Sequence, residues 1–268
     1  MPRDSSRLSE TTTLRQSIGE GLKTDLLKVF SIVFHPLLRP PLDSLFESAE
    51  RQSTNATEVM SALLNCSGEM LSQLSDEYNS FLVPSAMHDT GSGFYPSSWG
   101  MDDVNAQSLY WTVRVLQPRR VVESGVANGR STRAILLAMK RNGEGELHSF
   151  DISNDVGAAV EDELRSRWIL HVLPRRRRAQ AFQREVSNLT PIDLFLHDSE
   201  HTYRWQTMEF RVAWAELRGG GLLASDDVDA SFAFQDFARS ERVKGFHIVT
   251  GRRVFGCIKK GELSTRPT

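Results

Sequence analysis

Two cysteines in 268 residues, Cys66 and Cys257, are too few and too separated for a disulfide framework or a cysteine-based zinc site. The expected compartment is therefore the reducing cytoplasm. Charge of one sign is also lacking: 32 Lys and Arg against 34 Asp and Glu leave a net charge of −2, so no basic field points to nucleic acid. No apolar run approaches the roughly 20 residues that span a bilayer. The opening segment, Met-Pro-Arg-Asp-Ser-Ser-Arg, lacks the apolar core of a secretion signal, and the sequons at Asn55 and Asn188 read as chance.

What is present divides unevenly. Residues 1–20 are rich in Ser, Thr and charge, and read as disordered. Residues 21–98 read as a helical cap or oligomerisation arm. Within it, Leu26, Leu27, Val29, Phe30, Ile32, Val33 and Phe34 suggest a helix packed on the main domain or on a second subunit, with a membrane-surface helix, favoured by Lys23 and Lys28, as the alternative, before Pro36, Pro40 and Pro41 break the chain. Thr57 to Leu82 then shows helical periodicity through Val59, Met60, Leu63, Leu64, Met70, Leu71, Leu74, Tyr78 and Phe81. His88 to Met101 mixes glycines with Phe94, Tyr95 and Trp99, which suits either a loop folding over a ligand or an aromatic plug. Asp103 to Leu116 reads as a helix.

The most informative stretch is Val121 to Thr132, Val-Val-Glu-Ser-Gly-Val-Ala-Asn-Gly-Arg-Ser-Thr. A β-branched strand passes through two glycines into a helix that Ser131 and Thr132 can cap. Gly125 and Gly129 would let the backbone approach a ligand that a Cβ would push away. A Walker loop is disfavoured, because only three residues separate the glycines and Arg130 stands where lysine belongs. The dinucleotide pattern also fits poorly, with Ala127 at its second glycine. The segment resembles motif I of the class I S-adenosylmethionine-dependent methyltransferases, with Ala127 in place of the central glycine.

Beyond it, helices 131–141, 158–168, 178–187, 202–218 and 231–241 alternate with strands 146–151, 169–173, 192–198 and 221–226. Gly219 to Gly221 would end the fourth of these helices. Two strands near 244–250 and 252–259, joined at Gly251, can only be antiparallel neighbours. The expected fold is α/β: a Rossmann-like, doubly wound, mostly parallel seven-stranded sheet with a C-terminal antiparallel hairpin, occupying residues 99–262 and followed by a tail. Over Trp99 to Lys260 the motifs resemble the bacterial branch related to catechol and macrolide-sugar O-methyltransferases, with Asp198-x-x-His201-x-Tyr203 after one strand and Asp226-Asp227 after the next.

That resemblance implies a cofactor site of Glu123, Gly125, Ala127, Gly129, Ser131, Asp151 and Asp198, with the Asp151 carboxylate accepting the ribose hydroxyls. Asp198, Asp226 and Asp227 converge if their strands are adjacent, and three carboxylates repel unless a cation or proton intervenes. The resemblance makes them ligands of Mg²⁺. The alternative is that Asp226 and Asp227 cap helix 231–241 and line the cofactor pocket. His201 suits a general base for a substrate hydroxyl, or else a metal ligand or cap partner, while His197 reads as structural. The residue meeting the adenine is unassigned, because Leu173 is followed by Pro174 and Arg175 to Arg178, a run that suits either a solvated helix start or an anion. The expected activity is O-methylation of a small-molecule hydroxyl in specialised metabolism. A hydroxylase-like or oxidoreductase relative and a non-catalytic S-adenosylmethionine-binding scaffold are the alternatives.

Overall fold

The structure is a computed structural model, and it describes residues 49–82, 95–96, 99–251 and 253–261. The expectations for residues 1–20, for the apolar helix before Pro36 with its proline break, for most of the 88–101 loop and for the tail from 263 lie outside the described residues.

Eight strands form one sheet in the order β1-β7-β8-β6-β5-β2-β3-β4. They are β1 (Ala49–Ser53), β2 (Arg120–Ser124), β3 (Glu146–Asp151), β4 (Trp168–Val172), β5 (Ile192–His197), β6 (Leu217–Ser225), β7 (Gly245–Thr250) and β8 (Arg253–Lys259). All pairings are parallel except those of β8 with β6 and β7. A short turn cannot return a strand parallel to its neighbour, so the closing hairpin is where the sheet changes sense.

The central strands are buried on both faces, and alternate side chains serve different layers. Val121, Leu194, Leu196 and Leu222 pack into one core with α1 (Ala56–Leu64), α2 (Gly68–Asn79), α3 (Asp103–Leu116) and α4 (Arg130–Asn142). Val122, Phe195 and Leu223 pack into the other with α5 (Arg178–Ser187), α6 (Tyr203–Glu216) and α7 (Ala233–Glu241). Phe195 is fully buried, edge-on to Phe182. Phe195→Ala should cost about 3–5 kcal/mol, the usual range for a buried phenylalanine. Urea unfolding tests this, and a loss below about 1 kcal/mol would mean the layer can collapse around the gap.

The structure departs from the sequence reading at several places. An eighth strand, β1, lies beside β7 at the sheet edge, and its Ala-Glu-Arg-Gln-Ser sequence has no apolar alternation to betray it. The helical stretch after Thr57 is two helices: Asn65 ends α1 in the left-handed region, and the Ser67 hydroxyl caps α2. The stripe packs within the chain, against α3, with only Met70 strongly exposed. The helix expected over 158–168 is a 3-10 helix at Asp162–Arg167. Gly219 to Gly221 lie inside β6, which begins at Leu217, and do not end a helix. At Gly221 a Cβ would meet the Arg218 and Asp193 carbonyls at 3.0 Å, so the glycine serves strand contact. Among the described residues, no helix is long and apolar enough to cross a membrane.

Candidate functional site

The chain runs β2, β3, β4 toward one edge, then returns to place β5 and β6 on the other side of β2. The carboxyl ends of β2 and β5 therefore flank the point where strand order reverses, which in open α/β sheets is the ligand crevice. All the candidate residues map to this end of the sheet.

The turn after β2 is built for close backbone approach, though the approaching groups are parts of the protein itself. A Cβ on Gly125 (φ +88°) would stand 2.0 Å from the Asp198 carbonyl oxygen. On Gly129 (φ +86°) it would stand 2.8 Å from Gly157 Cα. Ala127 occupies the left-handed region at φ 48°, where a glycine would be unstrained. Its carbonyl accepts from Gly157 N–H at 2.9 Å, which helps hold it there. The turn is thus clamped between the segment after β5 and the one after β3.

Glu123 and Ser131 bond each other at the base of the turn. Glu123 is fully buried, and its carboxylate accepts from the hydroxyls of Ser131 (2.6 Å), Thr132 (2.8 Å) and Ser149 (2.6 Å). Ser131 and Thr132 therefore do not cap α4, whose N-cap is Gly129 with no side-chain bond. Their hydroxyls tie β2, β3 and α4 together, so any effect of Glu123 or Ser131 on a cofactor passes through the turn. Asp151, at the end of β3, is half-buried. One carboxylate oxygen accepts from Val126 N–H (3.0 Å) and the other from Ser153 N–H (3.1 Å). Tyr95 reaches the same corner. Its carbonyl accepts from the Asn128 amide at 2.9 Å, and burial, with the nearby charges of Asp151 and Asp155, raises its phenol.

Across the crevice, Asp198 follows β5 and Asp226–Asp227 follow β6. Backbone bonds fix the spacing: Asp198 N–H donates to the Ser124 carbonyl (2.8 Å) and Asp226 N–H to the His197 carbonyl (2.9 Å). The carboxylates are close enough for Asp226 and Asp227 to disfavour the charge of Asp198, and for Asp227 to disfavour that of Asp226. Burial first, then Asp226 and Asp227, push Asp198 well above the usual carboxylate range. Burial and Asp227 push Asp226 up to about 7. The convergence expected from the sequence is present, but among the described residues no three His, Cys, Asp or Glu side chains are gathered so as to hold an ion. A cation beside the cluster is Arg253 at the start of β8. Its Nη1 lies 3.7 Å from Asp226 and its Nε 3.6 Å from Asp227.

His201 leans over the same cluster. Its Nε2 is 4.0 Å from Asp198 Oδ1 and 3.8 Å from Asp227 Oδ2. Beneath it, His197 and Glu209 are fully buried and joined at 2.6 Å, and Glu209 also accepts from Ser124 (2.5 Å) and Ser199. Glu209 thereby ties the end of β2 to the end of β5. The His197 and His201 rings meet edge to face at 5.2 Å.

Several residues here escaped the sequence reading: Asn105, Asp102, Thr250, Glu209 and Arg253. Asn105, on α3, donates to both Asp102 and Asp226 at 3.2 Å. Its distance in sequence from Asp226 leaves no local pattern to find. Of the basic run, Arg178 stacks on Trp205 (3.8 Å to the ring centroid) and bonds Glu200 at 2.6 Å, whereas Arg175 to Arg177 are exposed. Tyr203 is also largely exposed and donates to Asp236.

These buried carboxyls set a pH dependence. Burial raises Glu123 to about 7 despite the hydroxyl donors that lower it, and Asp226 shares that value. A carboxyl raised in the folded state favours folding while protonated. Its contribution is whole below the ordinary carboxylate range and is lost as pH rises through about 7. The melting temperature of the ligand-free protein should therefore fall between about pH 5 and 8, and less steeply in Asp226→Asn. Parallel melting curves for the two proteins across that range would refute the assignment.

A doubly wound sheet with a clamped glycine turn after its first central strand and carboxylates at the next strand ends defines a nucleotide-type cofactor fold. Residues 122–228 match the model of a family described as a methyltransferase domain. That stretch, from the second strand to the turn after β6, is where the chain is similar to a methyltransferase domain. No curated protein matches it. Among solved structures it is similar to cofactor-bound Rv0187 from MTB, at 17% identity over 70% of this chain and 96% of that one, TM-score 0.54. It is also similar to a Klebsiella pneumoniae protein described as an O-methyltransferase (17%, 72% and 99%, TM-score 0.53). A third is the Streptomyces achromogenes O-methyltransferase TomG, involved in tomaymycin synthesis and solved with SAM (14%, 87% and 96%, TM-score 0.51). At these identities the likeness establishes the fold.

Proposed function

We propose that the protein transfers the methyl group of S-adenosylmethionine to a hydroxyl of a small-molecule acceptor, with His201 as general base. The observation that carries this reading is the contact between the two halves of the site. Gly125, in the cofactor turn, packs against the backbone of Asp198, and His201 stands 4.0 Å from the Asp198 carboxylate. Cofactor and acceptor would therefore meet in one crevice, and the protein's part is to align the methyl group with the attacking oxygen.

Asp151 fits the ribose. Each of its oxygens accepts one backbone N–H, and a carboxylate oxygen has two lone pairs, so one acceptor site per oxygen is left for a pair of vicinal hydroxyls. Gly125, Ala127 and Gly129 shape the turn beside it, and Tyr95, whose carbonyl meets Asn128 in that turn, is an aromatic candidate to cover the nucleoside. His201 would take the hydroxyl proton as the oxygen–methyl bond forms. The Asp227 carboxylate at 3.8 Å would favour the resulting imidazolium.

Magnesium is the finer part of the proposal. Asp198, Asp226 and Asp227 offer only oxygen, the donor a hard cation takes, and the charges of Asp226 and Asp227 raise Asp198, but among the described residues they are not gathered as a ligand set. These three would hold it, and it would lower the pKa of an acceptor hydroxyl.

Calorimetry with S-adenosylhomocysteine, S-adenosylmethionine and NAD tests the cofactor. We expect dissociation constants of micromolar order for the first two, about −8 kcal/mol, and none measurable for NAD. Tight NAD binding without either methyl-cycle compound would overturn the reading and favour an oxidoreductase. Binding without turnover on any hydroxylated acceptor would favour a scaffold.

A further inference from the structure

Four consecutive arginines, Arg175 to Arg178, follow β4, whose carboxyl end lies on the same side of the parallel sheet as those of β2 and β3. Pro174, lacking an N–H, cannot extend the ladder, and α5 begins at Arg178. The fold uses the four unequally. Arg178 is half-buried, stacked on Trp205 and bonded to Glu200, so its charge is matched within the protein. Arg176 and Arg177 are exposed, and among the described residues neither guanidinium makes a hydrogen bond or an ion pair.

These two line a groove of about 590 Å³ together with Pro174, Gln180, Ala181 and Arg184. Residues three and four apart are neighbours on a helix, which brings Arg177, Gln180 and Arg184 to one face. Arg184 holds Glu185 through Nε (3.1 Å) and Nη2 (2.7 Å), an exposed pair between chain neighbours of the kind that contributes little. A charge run on a convex surface keeps its members apart in water. Here three guanidiniums share one concave space, and a cleft lined by one sign of charge focuses its field on a counter-ion.

The groove's volume falls within the range of small-molecule sites, about 300–1,000 Å³. Its concave wall suits such a ligand better than a flat acidic protein face. The arginine fork matches phosphate and carboxylate oxygens alike. A phosphoryl group brings three acceptor oxygens, enough to meet three guanidiniums, whereas a carboxylate brings two.

We propose that this groove is an anion site that takes the phosphoryl group of a phosphorylated small molecule, held by Arg176, Arg177 and Arg184 with Gln180 as a neutral donor. The site is independent of the methyl-transfer reading, since it uses no residue of the cofactor turn or of the carboxylate cluster.

The test is titration calorimetry of the full chain with phenyl phosphate, benzoate and inorganic phosphate. Phenyl phosphate should bind at least about tenfold more tightly than benzoate, which carries the same ring on a carboxylate. Arg176→Gln, Arg177→Gln and Arg184→Gln, made singly at exposed positions that leave the fold intact, should each weaken phenyl phosphate at least about tenfold, the scale of one hydrogen bond between charged groups. Arg175→Gln removes the same charge from the same run but from outside the groove. It should change affinity less than about threefold, as for a screened surface charge. Inorganic phosphate distinguishes the source: weaker binding than phenyl phosphate supports an organic phosphate, and tighter binding would overturn that part of the proposal. Equal losses in Arg175→Gln and the three groove variants would mean that the run attracts an adventitious ion only, and would overturn the site. So would the absence of phenyl phosphate binding in the wild type, and benzoate binding as tightly would overturn the phosphoryl class.

Discussion

Gly125→Ala should weaken S-adenosylhomocysteine binding at least about 100-fold, or about 2.7 kcal/mol. It does so through the protein's own backbone. The new Cβ would lie 2.0 Å from the Asp198 carbonyl oxygen and 2.8 Å from Ser199 Cα, and neither side can yield. Gly125 N–H is bonded to the Phe150 carbonyl at 2.8 Å, while Asp198 N–H is bonded to Ser124 at 2.8 Å. Relief requires parting the ends of β2 and β5, which opens the crevice. Gly143 provides the control. It too has a positive φ (+78°), but a Cβ there meets nothing within 4 Å, so Gly143→Ala should show only the backbone strain of about 1–2 kcal/mol and bind normally. Calorimetry and thermal melting on both variants separate clash from strain. Wild-type affinity in Gly125→Ala would show that the turn is not clamped as described.

This glycine also shows where sequence reasoning reaches its limit. That the turn after β2 needs glycine was legible, because two glycines between a β-branched strand and a helix have few other uses. What the glycine makes room for was not, because the approaching group, the Asp198 backbone, is distant in sequence. The parallel sheet and closing hairpin were legible for a similar reason: apolar runs and turn residues are local signals. β1 was missed because an exposed edge strand of polar residues carries no such signal. Glu123 was read as facing a cofactor, yet its burial among three hydroxyls depends on how β3 and α4 pack around it. The acidic residues could be placed at strand ends from sequence, since each directly follows an apolar strand run, while the adjacency of those strands was only a condition. Their partners could not. Arg253 and Asn105 reach the cluster from the hairpin and from α3, and an arginine beginning a strand or an asparagine within a helix looks the same whether or not it faces a carboxylate.

Replacing His201 should have the largest effect on rate while sparing the cofactor. The imidazole is only partly buried and lies 3.8–4.0 Å from the Asp198 and Asp227 carboxylates, longer than a direct hydrogen bond to either. That spacing lets the ring meet an acceptor hydroxyl at the crevice while the Asp227 carboxylate favours the protonated form it would reach. Losing a positioned base typically costs about 10²–10⁴ in rate, so His201→Ala should lose kcat on that scale. Its affinity for S-adenosylhomocysteine should stay near wild type, because the ring faces the carboxylates and not the turn. The pH profile separates base from prop. With a base, wild-type kcat/KM rises with pH as the imidazole loses its proton and then levels. Without it, the rate depends on ionisation of the acceptor itself and keeps rising at high pH, so the gap between the two proteins narrows there. His197 gives the contrast, since its ring is fully buried and committed to Glu209 at 2.6 Å. His197→Ala should damage stability and every activity together, with no such recovery at high pH. A His201→Ala profile parallel to wild type at all pH values would take the proton away from this residue and leave it as packing against His197.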